Sequence, residues 1–432
     1  MIKKRIKLQL KKAVSMFMGA ALPGIMCMAL LTAGLTGCGS ILTKTAKDQT
    51  RESMQQEQMK ERGDHVSGQE KNPQMTEETG PDQESSAEDT GSKAGSPVIW
   101  NRSLPSDVTL PSSYDYREHG RAPKIGNQGS LGTCWAFASL TALESTLLPD
   151  KKETFSVDHM SMHNHFLLGQ DEGGEYTMSM AYLLSWEGPV WESEDPYGDG
   201  ISPDGLKARE HVQEIQILPS KDYEAIKRAV YLEGGVQSSL YTSMRDYESE
   251  SVYYNRETNS YCYIGTEKPN HDSVIVGWDD NYPKENFNME LEGDGAFICT
   301  NSWGENFGDQ GYFYVSYYDT NIGVHNIVYT GIKPTDNYDK IYQSDLCGWV
   351  GQIGYGEDTA WFANAYRTEK VEELAAAGFY ATGPDTEYKI YLARNLPDEN
   401  RADAAGKDRF RQDHGLESAL NRRTLLAEGT LE

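Results

Sequence analysis

The spacing of apolar residues divides the middle of the chain into a helical part and a strand-forming part. After Thr133, which is placed to cap a helix, apolar side chains recur at the spacing of one helix face. These are Ala136, Phe137, Leu140, Leu143, Leu147 and Leu148. Helical patterns prevail up to DYEAIKRAVYLEGG, whereas the later segments VQSSLYTS, SVIVGW, AFICTN and YFYVSYY have the composition of strands. The pattern predicts an α+β fold with its helices first and its sheet second.

The first 38 residues have the pattern of a bacterial signal peptide, in which basic residues precede an apolar run from Ala13 to about Leu35. The run ends in LTGCGS, and Leu35 to Cys38 resemble the lipobox of bacterial lipoproteins, whose cysteine is lipidated. The run is also long enough to be a plain transmembrane anchor. Both alternatives place the bulk of the chain outside the cytoplasm. The lipobox predicts lipid anchoring through Cys38 to the outer face of the bacterial cell membrane.

Three further segments follow the signal pattern. Residues 39–98 carry almost no large apolar side chain, so they are predicted to form a disordered acidic and polar tether. Residues 99–333 have the texture of one folded domain. Residues 334–432 are aromatic, rich in glycine and strand-like, and they predict a second, all-β domain.

The charge of the chain limits its partners. There are 66 acidic and 40 basic residues, which give a formal net charge of -26. Such a chain repels phosphate backbones, so nucleic acid is not expected to be a partner.

Cys134 opens the predicted helix, where the helix dipole and unpaired backbone N–H groups favour a thiolate. His271 comes just before one apolar strand, and Asn301 comes just after another. A thiol, an imidazole and an amide that orients it form a nucleophilic arrangement. Gln128 lies shortly before Cys134, and its amide and the Cys134 backbone N–H are suited to bind an oxyanion.

These residues resemble the papain family of cysteine peptidases, through NQGSLGTCWAFA around Cys134 and NSWG at Asn301, over about residues 112–328. The resemblance implies two lobes, one helical and one a twisted antiparallel sheet, with a cleft between them. It implies that Cys134 is the nucleophile, His271 the general base and then acid, Asn301 the residue that orients His271, and Gln128 the oxyanion donor. Trp303 would shield the hydrogen bond between His271 and Asn301 from water.

The substrate-binding expectations also follow from the resemblance. GQDEGGEYT is similar to the glycine pair beside the family's cleft, so Gly173 and Gly174 are expected to contact an extended substrate, with an ordinary loop as the alternative. Asp272 stands where the family has a small apolar residue. It is expected to favour a basic substrate side chain if it points into the cleft, and to do little if it faces solvent or binds a neighbouring Lys or Arg.

The cysteines raise a separate question. Leu131 occupies the position of a family half-cystine, and Asp171 lies near the position of its partner, so that disulfide is missing at both ends. The spacing of Cys134, Cys262, Cys299 and Cys347 indicates neither a zinc ribbon nor a redox pair, and leaves their disulfide state open.

Two groups of potential metal ligands are judged to be structural. His159, His163 and His165 have zinc-like spacing, but DHMSMHNH contains no glutamate base, so they are expected to be surface histidines. The acidic residues at 279–294 do not match a calcium-binding loop and are expected to be solvated. We therefore expect no metal and no organic cofactor.

The segment after residue 334 resembles the lectin-like domain that follows some bacterial members of this peptidase group. The resemblance implies a β-sandwich that binds surface glycans, and the alternative is a domain that merely packs against the peptidase. Because the chain ends on the strand-like TLLAEGTLE, this domain is expected to be incomplete.

Together these patterns predict a surface-anchored cysteine endopeptidase that hydrolyses peptide bonds in proteins or peptides through a thioester acyl-enzyme. One alternative is a catalytically idle adhesin that binds glycans or proteins. The other is an acyl transferase that uses the same cysteine, histidine and asparagine with an amine in place of water.

Overall fold

A computed structural model of the protein describes residues 8–11, 105, 107–351, 356, 358–381, 383, 386–394, 396 and 420–431. The expectations for Cys38 and for the tether at 39–98 lie outside these residues. None of the helices in the described part of the chain combines the length and the apolar character needed to cross a membrane.

The helices of the first folded domain are α1 (Cys134–Leu147), α2 (Val157–Met162), α3 (Tyr176–Leu184) and α4 (Tyr223–Leu232). The predicted start of α1 is confirmed, with Thr133 as its N-cap residue, although the Thr133 side chain makes no capping hydrogen bond. Most side chains along α1 are buried, since the helix packs against other elements on several sides. Cys134 therefore lies at the end of a central, firmly held helix.

The strands of this domain are β2 (Ser113–Asp115), β3 (Glu210–Ile217), β4 (Val236–Leu240), β5 (Tyr254–Asn255), β6 (Ser260–Tyr261), β7 (His271–Asp279), β8 (Ala296–Thr300), β9 (Tyr312–Ser316) and β10 (Asn326–Pro334). They build one large sheet in the order β3-β10-β4-β7-β8-β9-β6-β5, with β2 paired to β7. Neighbouring strands are antiparallel except for β6 and β9, which are parallel. The four predicted strand segments correspond to β4, β7, β8 and β9.

One strand departs from the sequence prediction. β3 lies in the part of the chain where helical patterns were expected to prevail, yet it pairs with β10 along most of its length. Val212 and Ile215 are fully buried there. The tertiary partner therefore overrides the local pattern.

Helix α1 packs across β7 in the main hydrophobic core. Trp135, Leu140 and Leu143 of α1 and Val274 and Ile275 of β7 are all buried in this core. The packing fixes the start of α1, which carries Cys134, against the strand that begins with His271.

The described part of the second domain contains β11 (Lys340–Tyr342), β12 (Leu374–Gly378), β13 (Glu387–Leu392) and β14 (Thr424–Thr430). β13 and β14 form an antiparallel pair. The backbone of β1 (Leu8–Lys11) lies between β11 and β12 and is parallel to both. This pairing of a piece of the predicted signal peptide is not indicated by its sequence pattern.

Candidate active site

Cys134 is a free thiol at the first position of α1, partly exposed between the buried residues Thr133 and Trp135. Burial of the sulfur and, to a smaller extent, the nearby Asp272 carboxylate raise the pKa of the Cys134 thiol to about 12. Hydrogen bonds from the backbone N–H groups of Asp272, Trp135 and Cys134 itself act in the opposite direction. The bond from Asp272 puts the sulfur next to the residue that follows His271.

His271 and Asn301 meet because β7 and β8 are antiparallel neighbours, so the start of one strand lies beside the end of the other. The His271 Nε2 and Asn301 Oδ1 atoms are 2.8 Å apart. Since an amide oxygen only accepts, we assign the proton to Nε2, which leaves Nδ1 as the basic nitrogen. Burial lowers the pKa of His271 to about 4, against the smaller opposing effect of the bond to Asn301.

Trp303 lies beside this pair. Its ring centroid is 4.9 Å from that of His271, and its side chain is buried. That Trp303 keeps water from the bond between His271 and Asn301 stays a prediction.

Gln128 is buried, and its side-chain amide is held at both ends. Gln128 Oε1 accepts a hydrogen bond of 2.7 Å from Ser302 Oγ, and Gln128 Nε2 donates one of 2.7 Å to the Leu131 carbonyl. A primary amide has two N–H donors, so a second one remains for an oxyanion. The sequence analysis did not assign a role to Ser302; its position beside Asn301 in NSWG was the available signal.

Gly173 and Gly174 lie in the loop before α3, close to the residue that follows Cys134. A Cβ on Gly174 would lie only 2.4 Å from Trp135 Nε1, so this position has no room for a side chain. Gly173 has a φ of +83°, in the left-handed region that favours glycine. Contact with a substrate stays a prediction for both.

Within the described part of the chain, Asp272 neither faces solvent nor binds a Lys or Arg side chain, the two alternatives to a position in the cleft. It is buried, and its carboxylate accepts hydrogen bonds of 2.6 Å from Ser239 Oγ and 2.8 Å from Gln237 Nε2. These two partners are neutral donors, not Lys or Arg side chains. Burial raises the pKa of Asp272, and the two hydrogen bonds lower it.

The four cysteines in the described part of the chain are free, and Cys262 and Cys299 are buried. Where the family disulfide is missing, the Gly132 N–H donates a backbone hydrogen bond of 2.7 Å to the Gln170 carbonyl. A main-chain bond therefore joins the two segments that contain Leu131 and Asp171.

The histidine cluster is not wholly on the surface, so the expectation is wrong for His159. His159 is buried, its Nδ1 is 2.7 Å from Tyr182 Oη, and it stacks on His163 at 4.3 Å between ring centroids. The His159 side chain is covered by Tyr182 of α3, with 5.7 Å between the ring centroids. His165 Nε2 lies 3.2 Å from Glu187 Oε1.

Within the described residues, no group of three or more His, Cys, Asp or Glu side chains is arranged to hold a metal ion. In the acidic hairpin, Asp280 lies in contact with Lys227 and accepts a hydrogen bond of 2.7 Å from Tyr317 Oη. Asp279 and Asp294 accept hydrogen bonds from the backbone N–H groups of Asn281 and Lys284.

The family described as "Papain family cysteine protease" matches residues 110–332, just over half of the chain. The chain belongs to the papain family of cysteine proteases. Its fold is the papain-like α+β fold, with helices, a large antiparallel sheet and a C-terminal lectin-like β domain. The family described as "Lectin like domain" matches residues 341–414.

Papain-family relatives of known name include cathepsin S of Rattus norvegicus, which is 31% identical over 235 residues, or 50% of this chain and 64% of the relative. Cathepsin K of Mus musculus is 26% identical over 210 residues, or 47% of this chain and 59% of the relative. The chain thus spans less than two thirds of the length of either cathepsin.

A similar solved structure contains the cysteine protease and lectin-like domains of Cwp84, a surface layer associated protein of Clostridium difficile. It is 27% identical, with a TM-score of 0.48, and the match covers 56% of this chain and 54% of that one.

Proposed function

We propose that this protein is a cysteine endopeptidase that hydrolyses peptide bonds through a thioester acyl-enzyme. The observation that carries the proposal is the 2.8 Å hydrogen bond between His271 Nε2 and Asn301 Oδ1, at the start of the strand on which helix α1, with Cys134 as its first residue, is packed. A nucleophile, a base and a residue that fixes the base are thereby adjacent. Membership of the papain family supports the same assignment.

The first step transfers a proton from the Cys134 thiol to His271 Nδ1. Burial opposes a charge on each group by itself, as the directions of both pKa shifts indicate. A transfer within the pair leaves its net charge at zero, and the resulting thiolate and imidazolium attract each other in a site of low dielectric constant. The N-terminus of α1 stabilises the thiolate further.

In the chemical steps, the Cys134 thiolate attacks the carbonyl carbon of the scissile bond. The oxygen becomes an anion that the Cys134 N–H and the free N–H of Gln128 Nε2 bind. The intermediate collapses, the C–N bond breaks, and His271 gives its proton to the leaving amine. Water, deprotonated by His271, then cleaves the thioester and restores the thiol.

The location and the remaining partners belong to the same proposal. The signal pattern and the lipobox at Cys38 support attachment through a lipid to the outer face of the bacterial cell membrane. The lectin-like match at 341–414 supports a binding role for the C-terminal domain, with surface glycans as its ligands.

The test is the mass of the intact protein after reaction with a peptidyl epoxide that alkylates thiols. We expect one adduct, mapped to Cys134, together with loss of peptide hydrolysis. Cys134→Ser should give no adduct and no turnover. Cys347→Ser is the matched control, because Cys347 is also a partly exposed free thiol and its loss should change neither result.

Product masses separate the alternatives. Hydrolysis gives a free carboxylic acid, whereas an acyl transferase gives an amide when a peptide amine is added. Absence of both the adduct and turnover in the wild-type protein would contradict the proposal and favour an idle adhesin.

A further inference from the structure

The hydroxyl group of Tyr197 lies between the two ends of the segment Gln128–Thr133, here called the oxyanion loop. Tyr197 Oη donates a hydrogen bond of 2.9 Å to the Gln128 carbonyl and lies 2.6 Å from Thr133 Oγ1. A phenol has a single hydrogen, so Thr133 must donate in the second bond. One oxygen atom therefore holds both ends of the loop.

Tyr197 is itself held from several sides. Its ring meets the Phe137 ring of α1 edge to face, with 4.8 Å between centroids. Its backbone N–H donates to Glu192 Oε1 at 3.1 Å, and the next N–H, of Gly198, donates to Asp158 Oδ2 at 2.9 Å. Burial raises the pKa of Tyr197, so the hydroxyl keeps its proton at neutral pH and remains a donor.

Asp158 also supports the middle of the oxyanion loop. This carboxylate has an exposed fraction of 0%, and its Oδ1 accepts a hydrogen bond of 2.7 Å from Gln170 Nε2. The Gln170 carbonyl in turn accepts the 2.7 Å bond from the Gly132 N–H. A Cβ on Gly132 would lie 2.7 Å from the backbone nitrogen of Gly173, so the two segments are in close contact.

The donors proposed for the oxyanion belong to the two ends of this loop. One is the Gln128 side chain, and the other is the N–H of Cys134, the residue after Thr133. Their separation depends on the backbone between them, which has no disulfide at Leu131. The hydrogen bonds from Tyr197 and Gln170 supply the restraint that a cross-link would otherwise give.

We infer that Tyr197 is a positioning residue for the reaction and that Tyr197, Asp158 and Gln170 form a clamp that holds the two oxyanion donors in register. This inference rests on the proposed function. The clamp acts on the tetrahedral intermediate, in which the donors are used, and not on the reactivity of the Cys134 thiol itself.

Tyr197→Phe tests the inference, because it removes the hydroxyl and keeps the ring against Phe137. We expect kcat for peptide hydrolysis to fall about 10- to 100-fold with KM changed less than about 3-fold, as for displaced transition-state donors. Alkylation of Cys134 by iodoacetamide, which forms no oxyanion, should stay within about 2-fold. Tyr182→Phe is the control, since it removes a buried hydroxyl that contacts His159 and not the oxyanion loop.

A double-mutant cycle excludes a merely structural role. In the Gln128→Ala background, Tyr197→Phe should lower kcat by less than about 3-fold, because one of the two donors is already absent and their relative position no longer matters. Equal losses in both backgrounds, or an unchanged kcat in the single variant, would overturn the inference. If Tyr197→Phe does not fold, Thr133→Val removes the hydrogen bond between Thr133 and Tyr197 and keeps the one from Tyr197 to Gln128, and it is judged by the same cycle.

Failure of the proposed function and failure of the clamp give different experimental results. A wild-type protein that neither hydrolyses peptides nor alkylates at Cys134 contradicts the proposed function. An active wild-type protein with a fully active Tyr197→Phe variant contradicts only the clamp.

Discussion

Ser302 Oγ donates a hydrogen bond of 2.7 Å to Gln128 Oε1, across 174 residues of sequence. A backbone bond of 2.8 Å from the Gln128 N–H to the Ser302 carbonyl runs beside it. The segment that carries the oxyanion donor is thus joined to the segment that carries Asn301. The orientation of His271 and that of Gln128 depend on the same short stretch of chain.

Ser302→Ala should therefore weaken catalysis without a direct contact to the substrate. We expect kcat to fall about 10-fold, because the Gln128 amide loses one of its two side-chain hydrogen bonds and with it part of its orientation. Steady-state kinetics with a peptide substrate measures the effect. Ser273→Ala, a buried serine of β7 outside this contact, should leave kcat within about 2-fold. Equal losses in the two variants would argue against an orienting role for Ser302.

Gln128→Ala should lower the rate of acylation by about 100-fold or more, with little change in substrate affinity, since one oxyanion donor is lost. Pre-steady-state measurement of acylation tests this expectation. The variant should still be alkylated at Cys134 by iodoacetamide. A change in KM without a change in the acylation rate would mean that Gln128 binds the ground state only.

Asn301→Ala should reduce activity less than His271→Ala, because Asn301 orients the imidazole through the 2.8 Å bond while His271 transfers the proton. The kcat/KM values of the two variants give the comparison. Asn301→Gln serves as the conservative partner, with the same amide on a longer side chain. If Asn301→Ala proved as inactive as Cys134→Ser, its assigned role would be wrong.

Asp272→Asn should make the Cys134 thiol more acidic. The Asp272 carboxylate raises the pKa of Cys134, so its removal lowers that pKa, and alkylation by iodoacetamide should reach half of its maximal rate at a lower pH. The effect is confined to the pH range in which Asp272 is ionised in the wild-type protein. Glu290→Gln is the control for loss of a carboxylate, because Glu290 is exposed and lies in the hairpin after β7, at the end of that strand opposite to His271. An unchanged alkylation profile in Asp272→Asn would contradict the coupling.

The same Asp272→Asn variant tests substrate preference. Asp272 already accepts hydrogen bonds from Ser239 and Gln237, so we expect its loss to reduce the preference for a basic over an apolar substrate side chain by no more than about 3-fold. Paired peptides that differ only at that side chain measure the preference. A loss of about 100-fold would instead assign the carboxylate to direct binding of a basic group.

Cys38→Ala should abolish incorporation of a fatty-acid analogue and leave the signal region attached to the protein, if the lipobox is used. Metabolic labelling followed by mass determination of the amino terminus gives the result. Cys27→Ala is the matched control, because Cys27 lies inside the apolar run and outside the lipobox. A wild-type protein without label would favour the transmembrane anchor.

The local chemistry of the site was readable from short stretches of sequence. The apolar spacing behind Thr133 indicated α1, and the runs at VQSSLYTS, SVIVGW, AFICTN and YFYVSYY indicated four strands of the sheet. The motifs at Cys134 and Asn301 indicated the papain family, which the match over residues 110–332 confirms. Such features depend on neighbouring residues, whose spacing a sequence records directly.

Tertiary structure decided what depends on distant parts of the chain. β3 became a strand because β10 pairs with it, and Asp272 became a buried acceptor because β4 brings Ser239 and Gln237 beside β7. The contacts of Tyr197 with Gln128 and Thr133 join residues that are 69 and 64 positions apart. Sequence alone names the groups that can donate or accept, but burial and hydrogen-bond partners arise only when packing brings remote segments together and removes water from between them.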